Sequence, residues 1–375
     1  MPRLKVPEIK IGIGTHQIKE VETYITGFIG LTPKGPVNNP VLIQNYAEFE
    51  EHFGGFWELG QFAYSVQGFF QNGGIKCYIV RINESEEISD LTDAHFIGDE
   101  EAKSGLFAFD GIDSLNLLAI PDAKGSPAVM KAGLSYCEQK QNCFFIADIP
   151  LGKTPSDVVS LMEECAYTSS YGAIYYPSIY VQDPLTTDPK LVYPSGHIAG
   201  CYVKNDMDRG VWKAPAGQNR KLIDVLDLEL ELGTADQELL NPLGVNLLRK
   251  FANIGIVLWG GRTLLPTSEY KYINVRRFMN YIEKSIRDGT QWVVFEPNAE
   301  PLWAKIRATI TDFLTANWRN GALQGAKPQE AFFVKCDREN NTPVVVTEGK
   351  LNIDIGLAIL KPAEFTRLNI TLLTQ

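Results

Sequence analysis

Strict alternation of apolar and polar residues marks both ends of the chain. Near the beginning, Ile9, Ile11 and Ile13 alternate with lysine and glycine. Near the other end, the alternating apolar positions are Leu351, Ile353, Ile355, Leu357 and Ile359, followed after residues 361–363 by Leu368, Ile370 and Leu372. A period of two predicts strands with one buried face. Because unpaired strand edges readily pair with other chains, these ends predict self-assembly by strand addition.

Short strands and two helices are predicted between residues 27 and 82. Apolar runs at 27–31 and 41–43 are separated by proline and glycine, which are typical of turns. Asn45 is placed to cap a short helix that glycines end. The apolar face of the next predicted helix consists of Leu59, Phe62, Val66, Phe69 and Phe70. A buried strand at 76–82 follows.

Strands and helices alternate between residues 115 and 181. Strand-like runs occur at 115–120, 143–149 and 173–181, with helical patterns around 130–137 and 158–165. This order predicts βαβ units and a mostly parallel sheet with helices on its faces. The predicted fold class is therefore mixed α/β.

A third region starts near Asn241. Strands are predicted at 255–258 and 291–295, and between them lies an amphipathic helix that Gly289 ends. A second amphipathic helix, 303–314, has Pro301 in its first turn. The acidic stretch 84–101 reads as a surface connection and as a domain boundary.

Composition and charge narrow the function classes. The 375 residues are 45% hydrophobic and 21% charged, and no apolar run approaches the roughly twenty residues that span a bilayer. We also find no secretion signal, so the chain is expected to stay where it is made unless a larger particle carries it out. A net charge of −10 argues against binding nucleic acid. Six scattered cysteines without a CxxC pair favour reduced packing residues over a metal site.

Three fragments raise the alternative of an enzyme. Gly152, Lys153 and Thr154 resemble the end of a phosphate-binding loop, but the glycine that such a loop needs five positions earlier is Ala147. Ser195 and His197 are residue types of nucleophilic catalysis, although Pro194 and Gly196 predict a turn there.

Asp122 and Asp148 follow apolar runs and are expected at the carboxyl ends of strands, where α/β enzymes build their sites. A hydrolase or nucleotide-binding enzyme centred on Asp148, Lys153, Ser195 and His197 stays open as the alternative function.

Several longer motifs resemble the tail sheath family shared by contractile phages, R-type pyocins and extracellular contractile injection systems. The family's opening pattern resembles residues 28–53 and 69–82, and its central signature resembles PSGHIAG (194–200) and RGVWKAPAG (209–217). The most specific stretches are LNPLGVNLL (240–248), GIVLWGGRT (255–263), YINVRRFMNYIEKSIRDGTQWVVFEPN (272–298) and 301–337, which includes EAFFVKCD (330–337).

The resemblance implies a domain organisation. It implies a linking arm (1–20), an amino-terminal α/β segment (21–100), a subtilisin-like central α/β domain without protease activity (101–240), a carboxyl-terminal sheath domain (241–350) and linking strands (351–375). The two arms would be exchanged between subunits. A helix within 303–320 would touch an inner tube by charge complementarity, with Lys305, Arg307 and Arg319 as the candidate contacts.

The resemblance also implies a function and partners. Subunits would form stacked hexameric rings around an inner tube protein, with baseplate and terminator or cap proteins at the ends, and contraction would drive the tube through a target membrane. No enzyme activity, cofactor, metal, nucleic acid or membrane insertion is implied. Assembly would occur in the bacterial cytoplasm, followed by incorporation into a phage tail or a released phage tail-like particle. A tube or baseplate protein of the same machine would share the self-assembly but not the central signatures.

Overall fold

The computed structural model describes residues 16–57, 60–83 and 91–363. Backbone contacts divide the chain into two compact units. Among these described residues, the first unit, here the sheet unit, comprises 21–282 and 360–363, and the second, here the terminal unit, comprises 16–20 and 283–359.

The first half of the sheet unit follows the predicted pattern closely. Its elements are β1 (Thr26–Gly30), β2 (Val41–Ile43), α1 (Tyr46–Phe53), α2 (Phe62–Gln71), β3 (Cys77–Arg81), α3 (Asp93–Ile97), β4 (Leu117–Ala119), α4 (Pro127–Lys140), β5 (Phe144–Asp148) and α5 (Pro155–Cys165). Asn45 caps α1 as predicted, since its side chain accepts the backbone N–H of Glu48.

The second half of the unit returns the chain to the same sheet. Its elements are β6 (Gly172–Tyr176), β7 (Ile179–Gln182), β8 (Pro189–Val192), α6 (Ser195–Arg209), β9 (Asp227–Leu228), α7 (Thr234–Leu240), β10 (Val245–Phe251), β11 (Gly255–Trp259) and the start of α8 (Ile273–Gly289).

A large sheet with helices on both faces forms the core. Within the described residues it has eight strands in the order β11-β10-β6-β5-β4-β1-β3-β2. The inner strands are parallel, while β2 and β11 are antiparallel at the edges. Phe144 and Ile146 pack into one core with α2 and α6, and Phe145 and Ala147 pack into the opposite core with α4 and α5. The predicted mixed α/β fold with a mostly parallel sheet is confirmed.

The predicted strand at 173–181 is wrong in extent, because it is two strands in two sheets. β6 belongs to the large sheet, whereas β7 pairs with β8 and β9 in a separate antiparallel sheet. Pro177 lies between β6 and β7, and proline has no N–H to continue a strand ladder.

Two glycines let α6 lie directly against α2. A Cβ atom on Gly196 would stand 2.3 Å from the carbonyl oxygen of Ser65, and one on Gly200 would stand 2.3 Å from that of Phe69. These distances are far below van der Waals contact, so only glycine permits this approach. The predicted turn at Pro194 and Gly196 is wrong, since these residues begin a long buried helix.

A buried ion pair joins α6 to α8 inside the sheet unit. The Arg277 guanidinium donates to both Asp206 oxygens, at 3.0 and 2.6 Å, and to the carbonyl of Thr23 at 2.9 Å. The Thr23 hydroxyl also donates to Asp206 at 2.7 Å. A bidentate pair with its remaining groups satisfied is the form in which buried charge is tolerated.

The terminal unit is built on α9 (Glu300–Arg319), α10 (Pro328–Ala331), β12 (Phe332–Lys335), α11 (Pro343–Thr347) and β13 (Asp354–Leu357). Pro301 lies in the first turn of α9 as predicted. The strand predicted at 291–295 is wrong. Gln291–Val293 forms a single 3₁₀ turn, and the next residues, Val294 and Phe295, are exposed to solvent.

The large sheet draws strands from three of the five segments implied by the family resemblance. β1 to β3 come from 21–100, β4 to β6 from 101–240, and β10 and β11 from 241–350. The positions 100 and 240 therefore do not separate one sheet from another. The five-part division itself stays a prediction.

Candidate functional site

The serine and histidine of the hydrolase alternative lie in the first turn of α6, with both side chains buried. Residues two apart on a helix point about 200° apart, so Ser195 and His197 do not share a face. The backbone N–H of Ser195 donates to Asp148 Oδ1 at 2.9 Å, while the imidazole of His197 packs over Gly68 of α2. The fold thus separates a nucleophile from its base.

The two aspartates lie at the carboxyl ends of strands, as predicted. Asp148 ends β5, and Asp122 follows β4 and accepts the backbone N–H of Leu31 at 2.8 Å. Burial raises the pKa of Asp122 to about 6 and that of Asp148 to about 7, although the hydrogen bonds from Leu31 and Ser195 act in the opposite direction. Each carboxyl group satisfies a buried backbone amide, which is a structural task.

The glycine, lysine and threonine of the nucleotide-binding alternative form a helix cap. The N–H of Gly152 donates to Glu229 Oε1 at 2.6 Å, so this backbone donor is already paired with a carboxylate of the same chain. Thr154 and Asp157 form a capping box at the start of α5, and Lys153 is exposed. This arrangement caps α5 rather than cradling a phosphate.

Neither a metal site nor a membrane span is found in the described part of the chain. Residues 16–57, 60–83 and 91–363 contain no group of three or more His, Cys, Asp or Glu side chains placed to hold a metal ion. No helix within those ranges is long and apolar enough to cross a membrane. All six cysteines are free thiols, and all except Cys165 are buried.

The alternating segment near the carboxyl end forms half of a two-stranded antiparallel ribbon. β13 pairs with β12 in the register Phe332↔Leu357 to Lys335↔Asp354. Leu351, Ile353, Ile355 and Leu357 are all half-buried. Strand β12 was not predicted as a strand, and its only signal is the short run of Phe332, Phe333 and Val334 before Lys335.

Asparagine side chains fix the start of β13. The backbone N–H of Asn352 donates to Asn341 Oδ1 at 2.7 Å, and Asn341 Nδ2 returns a hydrogen bond to the carbonyl of Asn352 at 2.9 Å. Asn340 Nδ2 donates to Asp354 Oδ2 at 3.0 Å. Beyond the strand, Ala358 exchanges backbone hydrogen bonds with Ala331 and Gln324. The ribbon is therefore held at both ends by its own chain.

The ribbon has an open side in the described part of the molecule. Among the described residues, β13 pairs along its length with β12 and with no second strand. An isolated pair of strands is marginally stable in water, and an unpaired edge accepts further strands. The other arm residues, Ile9, Ile11, Ile13, Leu368, Ile370 and Leu372, lie outside the described residues.

The three candidate tube contacts of α9 differ in their surroundings. Lys305 and Arg319 are exposed and, 14 residues apart, lie about 21 Å apart on nearly the same face, with the exposed Asp312 between them. Arg307 is half-buried: its guanidinium donates to Glu300 Oε1 at 3.0 Å and to the carbonyl of Cys336. Arg307 therefore ties α9 to the end of β12.

Comparison with protein families gives two adjoining matches. Residues 97–264 match the phage tail sheath protein central domain, and residues 266–372 match the phage tail sheath C-terminal domain. Over 220 residues the chain is 28% identical to the tail sheath protein of Vibrio phage KVP40, covering 58% of this chain and 32% of that protein. The alignment thus spans about a third of the length of that curated relative.

Solved structures match along nearly the whole chain. A chain in the baseplate of the anti-feeding prophage (AFP) is 30% identical, with a TM-score of 0.77 and coverage of 99% of both chains. The AFP helical sheath in its contracted state is 29% identical, with a TM-score of 0.79 and coverage of 99% of this chain and 98% of that chain.

With both sheath domains matched and a relative 30% identical along 99% of its length, this chain belongs to the phage tail sheath family. The family predicted from the sequence motifs is confirmed.

Proposed function

We propose that this chain is the repeating subunit of a contractile sheath. Subunits form stacked hexameric rings around an inner tube protein, with baseplate and terminator or cap proteins at the ends. Contraction then drives the tube through a target membrane. The observation that carries this proposal is the open two-stranded ribbon in a chain of the tail sheath family.

The ribbon is the proposed link between subunits. A neighbour's arm, residues 9–15 or 368–372, adds to its open edge and makes about five backbone hydrogen bonds, each worth roughly 1 kcal/mol net. Two or three aliphatic side chains buried with the strand add about 1.5–3 kcal/mol each. Such links hold neighbours together while the sheet units move as rigid bodies during contraction.

Stored free energy is the proposed source of the motion. The extended sheath is held by the tube and the baseplate, and release of these contacts lets subunits exchange one packing for another without nucleotide hydrolysis. The capped α5 turn and the separated Ser195 and His197 support a structural subunit without enzyme activity. Assembly takes place in the bacterial cytoplasm, and the sheath then becomes part of a phage tail or a released tail-like particle.

Aspartate at Ile353 and Ile355 tests the ribbon. The double variant should fold, because both side chains are only half-buried, but it should form no sheaths, because two charges would line the shared strand. Electron microscopy measures assembly, and thermal unfolding checks the fold. Val344→Asp is the matched control, since Val344 is 66% exposed on α11 and lies outside the ribbon. Normal sheaths from the double variant would disprove the proposed link.

Charge reversal on α9 tests the tube contact. Lys305→Glu with Arg319→Glu should leave the sheath able to assemble but reduce tube retention several-fold, and more strongly at low salt, since exposed charges are screened by salt. Co-sedimentation with the tube protein measures retention. Lys131→Glu with Lys153→Glu makes the same double charge reversal at exposed positions of the sheet unit. Equal loss in both proteins, or none in either, would place the tube contact elsewhere.

A further inference from the structure

A cavity of about 200 Å³ opens in the sheet unit beside the last described residues of the chain. Its lining positions are mostly alanine, glycine and proline, together with the indole of Trp259 at the end of β11. The polar positions among them are Gln237 and Asn241. Pro362 and Ala363 also line the cavity, so the chain itself runs along its edge.

The walls of the cavity are fixed in place by the fold. The ring of Trp259 packs on that of Phe251, with the two centroids 4.7 Å apart. The N–H of Gly217 donates to the carbonyl of Leu258 at 2.7 Å, and the carbonyl of Gly261 accepts a backbone N–H of α8 at 2.9 Å. A wall built in advance costs an incoming group little ordering entropy.

A buried asparagine holds the start of the tail, here residues 360–375, on the sheet unit. Asn274 is 2% exposed, and its Nδ2 atom donates to the carbonyls of Trp212 and Leu360, each at 3.0 Å. Phe365 lies outside the described residues, two positions beyond Ala363. At most about 7 Å of extended chain separates these two positions, so the ring of Phe365 is within reach of the cavity.

Phe365 does not belong to the apolar face of the predicted linking strand. The alternation there occupies even positions, from Leu368 through Ile370 to Leu372. Side chains at odd positions of a strand project to the opposite face. Phe365 is also the single aromatic residue between positions 361 and 375. A large apolar ring outside the strand's buried face needs an apolar site of its own.

We propose that the ring of Phe365 docks in this cavity of its own subunit, against the indole of Trp259. The short tether to Ala363 gives the ring a high effective concentration there, which favours its own cavity over a neighbour's. Asn274 and the docked ring then fix the tail at two points, and residues 366–367 alone separate the second point from the linking strand. The docking itself does not depend on the proposed sheath function, whereas this consequence for the exchanged strand rests on it.

Fluorine NMR of the full-length, unassembled subunit labelled with 5-fluorotryptophan tests the contact. Trp259→Phe identifies the Trp259 resonance among those of the six tryptophans. Phe365→Ala should move this resonance, because it removes the neighbouring ring. Leu372→Ala is the matched control, since it truncates an apolar side chain of the same tail and should leave the resonance in place.

Two results of this measurement would overturn the proposal. The first is a Trp259 resonance that is unchanged in Phe365→Ala. The second is a change that disappears on dilution or occurs only in assembled sheaths, because the ring would then come from another subunit. Neither result depends on whether the chain forms a contractile sheath, so the docking can fail while the proposed function stands.

A substitution that fills the cavity tests the docking from the other side. Gly261 does not adopt positive φ, and an added Cβ there would have Ala214 Cβ, at 3.7 Å, as its nearest contact. Gly261→Leu should therefore displace the ring of Phe365. Chymotrypsin cleaves after accessible phenylalanine, so the variant should release the fragment 366–375 several-fold faster than the wild type does.

Gly111→Leu is the control for this variant, because an added Cβ at position 111 meets no heavy atom within 4 Å and the position is remote from the cavity lining. It should release the fragment at the wild-type rate. Equal rates for the wild type and a folded Gly261→Leu would contradict the docking. If Gly261→Leu does not fold, the response of the Trp259 resonance to Phe365→Ala decides.

Discussion

Two buried ionisable groups at the start of α6, Asp148 and His197, give the subunit opposing responses to pH. Burial raises the pKa of Asp148 to about 7, so the folded state binds its proton more tightly than the unfolded state does. The free energy of unfolding therefore falls as pH rises from about 4 to about 7. His197 acts in the opposite sense, because its lowered pKa favours the folded state as pH rises from about 4 to about 6.5.

Replacing Asp148 with asparagine should remove the acidic part of this response. The amide oxygen still accepts the Ser195 N–H, but no buried charge develops as pH rises. We expect Asp148→Asn to be more stable than the wild type at pH 8 by a few kcal/mol, since one pKa unit corresponds to about 1.4 kcal/mol, and the gain to vanish near pH 4. Urea unfolding of the unassembled subunit at both pH values measures it. A gain that does not change with pH would contradict the raised pKa.

The candidate site residues were only partly placed correctly from the sequence. Asp122 and Asp148 were placed correctly at strand ends because an apolar run followed by aspartate is a local pattern. The helix that contains Ser195 and His197 was not predicted, because proline and glycine next to each other in sequence are typical of turns. Gly196 is required by the close contact with Ser65 of α2, which lies 131 positions earlier in the sequence. Nothing in the sequence signals that Nδ1 of His197 has no hydrogen-bond partner among the described residues.

At the scale of elements, the α2–α6 contact explains why the PSGHIAG motif carries two glycines. Gly200→Ala would place a methyl group 2.3 Å from the carbonyl oxygen of Phe69, and backbone cannot rotate away as a side chain can. We expect a loss of about 1–3 kcal/mol or more in the free energy of unfolding, measured by denaturant titration.

Gly111→Ala provides the matched control for this substitution. Position 111 has no heavy atom within 4 Å of an added Cβ and does not adopt positive φ, so the same change should be nearly neutral. Similar stability of the two variants would show that the helices separate without cost.

Helices and strands were predicted correctly where the signals that define them lie within one short segment of sequence. Helices α1, α4, α8 and α9 have caps or long amphipathic patterns that lie within a single segment, and all were found. The strand predicted at 291–295 was wrong because a short apolar run does not specify its surroundings. Its residues Val294 and Phe295 are exposed instead of paired.

The described part of the molecule contains a large sheet covered by helices and a two-stranded ribbon with an unpaired edge. The large sheet ends at both sides in antiparallel strands and is covered by helices on both faces. The ribbon of β12 and β13 has an edge without a strand in the described part of the chain. Alternation near the chain ends predicted strands that need partners. The sequence pattern did not reveal that β13 pairs with β12 of the same chain, because the long connection between them includes α11.

Negative-stain electron microscopy of the purified wild-type chain, alone and with the tube protein, tests the sheath assignment most directly. The account predicts hollow cylinders with helical ridges, whose lumen is filled when the tube protein is present. Uniform small particles under every condition would contradict it, above all if a nucleotide or a hydrolase substrate raised the melting temperature, because that result would favour the enzyme alternative.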